Sequence, residues 1–305
     1  MLEPPSGVPD ADVLTEVRRS WDADVDLVTY LAVGFGAHHW VAYAGPQPRL
    51  FVTYDAGVDT PAAFAELEAA YAGAIGLRET GLEFVLAPLI THDARALVPF
   101  AGGGLSCTPW RDGTSDEPLD PVWTREMLER LHATDAPHGL PIWRPRVGPD
   151  LAESITSLTG RPWGPGPYAD LARAEVGDRL DDIARWITRY FGLVAAAGTR
   201  SWVPVHGEPH PGNQLRTTGG RFLIDWDTLR LAPAERDLRT LVEAGARPDE
   251  VGADPEMVEL FDLEWRLDEI NQYAAWFAAP HTGNRDDEIA FGGLRDELTR
   301  PEPTW

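Results

Sequence analysis

His206-Gly207-Glu208-Pro209-His210-Pro211-Gly212-Asn213, followed shortly by Ile224-Asp225-Trp226-Asp227, is the stretch that decides how this chain is read. Trp202-Val203-Pro204-Val205 before it is a short apolar run that ends at a histidine. After it come two strand-like pieces, residues 213–216 and 221–224, with Thr217-Thr218-Gly219-Gly220 between them as a turn. A tight hairpin brings the strand ends together. It sets Asn213 opposite Ile224, next to Asp225, at cross-strand distances of roughly 5 Å. An amide oxygen and a carboxylate then meet at one end of the hairpin, with Glu208 in the preceding loop. Hard oxygen donors of this kind suit Mg²⁺ that also holds a nucleotide's phosphates. A second carboxylate nearby can take a proton from an attacking hydroxyl.

These motifs resemble the catalytic core of the aminoglycoside phosphotransferase family, small-molecule kinases with a protein-kinase-like fold. That family carries His-Gly-Asp, four residues, Asn, then a strand, then Asp; here Glu208 stands at the first Asp. The tail from Ile224 to Asp227, with Ala232-Pro233-Ala234-Glu235-Arg236-Asp237-Leu238 after it, is most similar to the spectinomycin phosphotransferase branch. The resemblance spans about residues 28 to 280. It implies an α+β, two-lobed protein-kinase-like fold: an N-lobe antiparallel β-sheet with one αC-like helix (residues 1–106), a hinge (107–113) and a mainly helical C-lobe (114–305). It further implies transfer of the γ-phosphate of ATP or GTP to a hydroxyl of a small molecule, such as an aminoglycoside-like or other antibiotic, with Mg²⁺.

On that resemblance Asn213 and Asp225 are the metal ligands, and Glu208 is the catalytic base. The extra methylene of Glu208 shifts its carboxylate by about 1.5 Å, a displacement that matters for positioning. Two alternatives therefore stand beside the antibiotic kinase. One is a kinase of a metabolite such as a sugar, amino alcohol or nucleoside. The other is a pseudokinase, a binding module without turnover. His206 is expected to support the loop, His210 to pack within it, and Glu235, Arg236 and Asp237 to form a structural ion-pair network.

Composition bounds these readings. A chain of 305 residues, 43% apolar and 10% aromatic, is long enough for two lobes with cores. The formal net charge of −23, from 49 acidic and 26 basic residues, disfavours nucleic acid and anionic membranes and favours cationic ligands. Every basic residue is arginine; the chain contains no lysine. One cysteine, Cys107, excludes an internal disulfide. No apolar run reaches the roughly 18 residues of a spanning helix, and the first residues lack a secretory pattern. The expected location is the cytoplasm.

Taken in order, residues 11–21 read as a short helix. Thr29–Val33, Val41–Ala44 and Leu50–Thr53 read as three strands, with Gly34 and Gly36 in the first turn placed to let backbone N–H groups approach phosphates. Thr60-Pro61 starts a helix, Thr60 as cap, with Phe64, Leu67 and Tyr71 on one face. Glu68 projects either toward the core, as a kinase αC carboxylate does, or to solvent at the stripe's edge. Residues 84–89 and 97–100 are further strand candidates. The adenine of a nucleotide is expected to meet backbone around Cys107 to Trp110. A helix opens at Asp120-Pro121, a long one runs from about 168 to 197, and the last clear one from about 255 to 278. On that last helix Glu264, Asp268 and Glu269 are the expected docking surface for a cationic or polyhydroxylated substrate. Glu264 and Asp268 are helical neighbours, and a visiting cation would relieve their repulsion. The resemblance also calls for a lysine at the end of the third strand. Thr53 occupies that position, which leaves an inward Glu68 without an evident partner; Arg78, Arg95, His38 and His39 are the candidate replacements.

Overall fold

The structure, a computed structural model, describes residues 1–115 and 118–302. The chain is a two-lobed kinase-like fold. By its internal contacts it divides into two compact units, residues 1–143 with 202–244, and residues 144–201 with 245–305.

In the first unit, helix α1 (Asp10–Ser20) leads to β1 (Leu27–Leu31), β2 (His38–Ala44) and β3 (Gln47–Asp55). Helix α2 (Pro61–Glu79) follows, then β4 (Val98–Phe100), β5 (Gly103–Pro109) and β6 (Gly113–Thr114). Strands β1 to β5 make one antiparallel five-stranded sheet in the order β1-β2-β3-β5-β4. Period-2 alternation sorts β3: Leu50, Val52 and Tyr54 are buried against Val13, Val17 and Trp21 of the α1 region, while Phe51, Thr53 and Asp55 share the other face. Thr60 caps α2, its hydroxyl accepting from the Ala63 N–H at 3.2 Å, with Pro61 at the first helical position. Leu67 and Tyr71 are buried as the apolar stripe requires. Residues 84–89, expected as a strand, form only a short bridge at Val85 to Leu223. Pro88 has no N–H for a ladder, and the bonds to the hairpin are Leu86 N–H on Leu223 O and Leu223 N–H on Phe84 O, while Leu89 N–H turns to Cys107 O.

Helix α3 (Pro121–His132) is capped by Asp120, which accepts from Val122 and Trp123 at 3.1 Å each. In the second unit, helices α4 (Leu151–Thr159), α5 (Ala169–Gly177) and α6 (Leu180–Ala197) follow. The single long helix expected from 168 to 197 is thus two. Gly177, a poor helix former, ends α5, and Arg179 folds back on Asp182 in the first turn of α6.

The chain returns to the first unit with β7 (Val203–Val205), β8 (Gln214–Thr217), β9 (Gly220–Leu223), β10 (Arg230–Ala232) and α7 (Glu235–Glu243). β7 pairs with β10, and β8 with β9. The β8–β9 turn has two residues, Thr218 and Gly219, between the paired Thr217 and Gly220. The second unit closes with α8 (Pro255–Ala278) and α9 (Arg285–Thr299). α9 is an addition to the sequence expectation. Asn284 and Asp287 form a reciprocal capping box at its start, and Ala290, Leu294 and Leu298 bury its stripe.

Candidate active site

The hairpin delivers Asn213 and Asp225 to one place. The Ile224 N–H donates to Asn213 O at 3.0 Å, so the register continues one residue past β8 and β9 and leaves Asp225 at the open end. Asn213 is buried, and its Nδ2 donates to Glu208 O at 2.9 Å. That bond fixes the amide so that Oδ1, which makes no hydrogen bond among the described residues, remains an acceptor. Asp225 adopts φ +66, a left-handed conformation that costs a non-glycine residue energy and turns its carboxylate out of the strand.

The Glu208 loop is held from below. His206 is fully buried. Its Nδ1 accepts from the Glu208 N–H at 3.2 Å and its Nε2 donates to Ile224 O at 2.8 Å, so one imidazole ties the loop to the residue before Asp225. Trp226 packs edge-on against it at 4.7 Å. Burial lowers the His206 pKa to about 4, keeping the ring neutral as both bonds require. Asp237, from α7, is equally buried and accepts from His206 N–H at 3.0 Å, Gly207 N–H at 2.6 Å and His132 Nε2 at 2.9 Å. Burial pushes its pKa up, but the His132 hydrogen bond and charge, with those of the loop, bring it below the usual value. Gly207 has φ +99, and a Cβ there would clash with the Arg236 guanidinium, so no other residue fits. Arg236 in turn donates to Thr228 O at 3.0 Å, and the Thr228 hydroxyl to His206 O at 2.6 Å.

Sequence reasoning missed a further set of groups. Asp55, at the end of β3, accepts from the Tyr71 hydroxyl at 3.3 Å. Burial and then the charge of Asp227 raise the Asp55 pKa to about 7. Asp225 is raised well above the usual carboxylate range, first by the protein atoms around it and then by Asp227, Glu208 and Asp55. Solvent nevertheless reaches Asp225. Tyr71 is raised likewise by burial and by Asp55, Asp227 and Asp225. The signal was present in the sequence as Tyr71 on the inner face of α2 and Asp55 at a strand end, but only the fold joins them. No three Asp, Glu, His or Cys side chains among the described residues form a ready metal cage. The oxygen donors and the mutual repulsion of these carboxylates fit a Mg²⁺ that Asn213, Asp225 and phosphates would hold, the sparse protein coordination that this ion prefers.

Other expected residues fall elsewhere. Both oxygens of Glu68 are taken by Arg95, Nε and Nη2 at 2.8 Å each, and the guanidinium lies over Phe64. Glu68 therefore has a partner, and it is not Thr53, whose hydroxyl is 3.2 Å from His39 Nδ1. Cys107 turns its side chain into the α1-side core and its carbonyl accepts from Leu89 N–H at 2.7 Å. Trp110 N–H is spent on Arg49 O and its indole on Asp112. A base at this segment has to use other backbone groups. Gly34 and Gly36 take φ +70 and +101 in the loop between β1 and β2. In the second unit, Glu264 and Asp268 are buried rather than displayed. Asp268 pairs with Arg146 at 2.7 Å, and Glu264 accepts from Tyr190 at 2.7 Å and the Arg146 N–H at 3.3 Å. The cation that relieves their repulsion is the protein's own. Glu269 hydrogen-bonds Tyr273.

The family model described as "Phosphotransferase enzyme family" matches residues 56–278. Protein StrN of Streptomyces griseus is 31% identical over 309 residues, covering 94% of this chain and 91% of that protein. The chain belongs to the phosphotransferase enzyme family. Among solved structures, a spectinomycin phosphotransferase in complex with ADP and spectinomycin superposes with a TM-score of 0.72 at 16% identity, covering 97% of this chain and 96% of that one. An amicoumacin kinase in complex with AMP-PNP, Ca²⁺ and its substrate gives 0.56 at 11% identity, covering 97% and 95%. These likenesses establish the kinase-like fold. Within this phosphotransferase, no helix among the described residues is long and apolar enough to cross a membrane.

Proposed function

We propose that this phosphotransferase moves the γ-phosphate of ATP or GTP to a hydroxyl of a small molecule, an antibiotic of the aminoglycoside-like kind foremost. The observation that carries the reading is the hairpin register that sets Asn213 opposite Ile224, next to Asp225, beside a Glu208 loop fixed by buried hydrogen bonds. A bound Mg²⁺ supplies charge neutralisation and orientation of the phosphates. Asn213 and Asp225 hold it. Glu208 accepts or orients the proton of the substrate hydroxyl, and His206 and Asp237 hold Glu208 in place. The family relationship and the solved complexes with spectinomycin and amicoumacin support an antibiotic acceptor. Because the Arg146 guanidinium already pairs with Asp268, and Glu264 accepts from the Tyr190 hydroxyl and the Arg146 backbone N–H, the substrate is recognised more by its hydroxyls than by a large positive charge.

The test is nucleotide turnover with Mg²⁺ over a panel of aminocyclitol and aminoglycoside antibiotics, sugars and amino alcohols. Asp225→Asn should abolish metal-dependent turnover while the fold survives. Glu208→Gln should lower turnover by about 10²–10⁴-fold with nucleotide affinity unchanged. Undiminished turnover in Asp225→Asn would falsify the assignment.

A further inference from the structure

One face of the sheet presents a row of side chains beneath the glycine loop: Leu31, His39, Thr53 and Ser106, from directly paired positions on β1, β2, β3 and β5. Within that row His39 is half-buried, stacked obliquely against Phe51 with ring centroids 4.8 Å apart. Its Nδ1 is engaged by the Thr53 hydroxyl at 3.2 Å. Its Nε2 makes no hydrogen bond among the described residues. That atom faces the underside of the loop, since a Cβ on Gly34 would sit 3.3 Å from it. The chain has no lysine to place there, Arg95 is committed to Glu68, and the position at the end of β3 is a threonine.

We infer that His39 Nε2–H, set by the Thr53 hydroxyl donating to Nδ1, is the side-chain donor to a phosphate oxygen of the nucleotide beneath the loop. The inference rests on the phosphotransfer reading and adds to it a donor and a positioning residue. A neutral imidazole serves, because only the Nε2 proton is needed. Burial above all holds the ring neutral. Asp55, two residues beyond Thr53 on β3, is engaged by Tyr71.

The experiment measures binding of Mg·ATP, Mg·ADP and adenosine to the full chain by calorimetry. His39→Asn places its amide nitrogen near the Nδ1 position and lacks a donor at Nε2; His39→Gln puts an amide nitrogen near Nε2. His39→Asn should weaken Mg·ATP and Mg·ADP by about 10–150-fold, the range for one hydrogen bond to a charged group, and leave adenosine unchanged. His39→Gln should recover most of the loss, and Thr53→Val should weaken the phosphate-bearing ligands alone. Wild-type Mg·ATP affinity in His39→Asn, or equal losses for ATP and adenosine, would overturn the inference. The two readings fail separately. If Asp225→Asn abolishes turnover while His39→Asn keeps its ATP affinity, only the His39 assignment falls. If the wild-type protein binds neither ATP nor GTP with Mg²⁺, the phosphotransfer reading falls and takes His39 with it.

Discussion

Replacing Asp237 by alanine removes a buried acceptor on which the Glu208 loop hangs. Three donors converge on that carboxylate: the backbone N–H groups of His206 and Gly207 and the imidazole of His132. Asp237, His206 and Gly207 are all buried, so water does not replace the lost acceptor. A buried donor left unpaired costs about 1–3 kcal/mol, which gives about 2–6 kcal/mol for the two backbone groups. His132 retains some solvent access, its side chain 13% exposed, and adds about 1 kcal/mol more. The sum, on the order of 3–7 kcal/mol, is comparable with the roughly 5–15 kcal/mol that holds a whole domain folded. Urea unfolding of Asp237→Ala against wild type measures it, with turnover as the second readout. Asp237→Asn keeps one acceptor oxygen, points its amide at a donor, and should lose about half as much. A loss below about 1 kcal/mol in Asp237→Ala, with turnover intact, would show that the loop is held by His206 and Thr228 alone.

Two further outcomes are expected. The folded-state pKa of Asp55 is raised to about 7 from a reference of 3.8, so its contribution to stability is full below about pH 4 and is lost as pH rises through about 7. In EDTA, the stability advantage of Asp55→Asn over wild type should therefore grow between about pH 4 and 7, by up to about 1.4 kcal/mol per unit. An advantage of the same size at pH 4 and pH 8 would contradict this. Arg146→Ala should destabilise the protein by about 1–3 kcal/mol, less than a fully buried pair because the arginine side chain is 30% exposed. Removing the charges together, in Arg146→Ala with Glu264→Gln and Asp268→Asn, should recover part of that loss in the same unfolding measurement.

What the sequence disclosed follows the range of the interactions involved. The hairpin was legible because its register is set locally, by a turn and two short apolar runs, and that register alone brings Asn213 to Ile224. The caps of α2 and α3 were legible for the same reason: Thr60-Pro61 and Asp120-Pro121 are helix starts within two residues. The break between α5 and α6 was not, since Ala172 and Val176 before it and Leu180, Ile183 and Ile187 after it keep the helical period across a joint that Gly177 and the Arg179–Asp182 contact decide. Glu68 was ambiguous at the edge of its stripe, and only the position of Arg95, 27 residues on, turned it outward. Glu264 and Asp268 misled because helical spacing shows that two carboxylates are neighbours but not what lies opposite. Arg146 is 118 residues away in sequence from Glu264. α9 could have been read from its cap and its Ala290, Leu294 and Leu298 stripe, but its many charges masked the period.

Three arginines of this acidic chain are engaged with other groups of the protein. Arg95 is committed to Glu68, Arg146 to Asp268 and Arg236 to the Thr228 carbonyl. Elsewhere Asp55, Asp225, Asp227 and Glu208 repel one another, as the raised pKa values of Asp55 and Asp225 show. Like charges held this close cost folding energy, and a protein whose only aim was stability would replace one with an amide. Under the phosphotransfer reading the cost is offset when the ligand arrives. A free polyphosphate is repelled by these carboxylates, whereas its magnesium complex carries a cation that attracts them. Lysine at the β3 end would weaken that discrimination by drawing in the bare anion, and Thr53 with His39 offers a directed hydrogen bond without the charge. Under that reading, preference for the metal complex over the free nucleotide would follow from the carboxylates near the hairpin's open end, and the absence of lysine would belong to the same electrostatic arrangement.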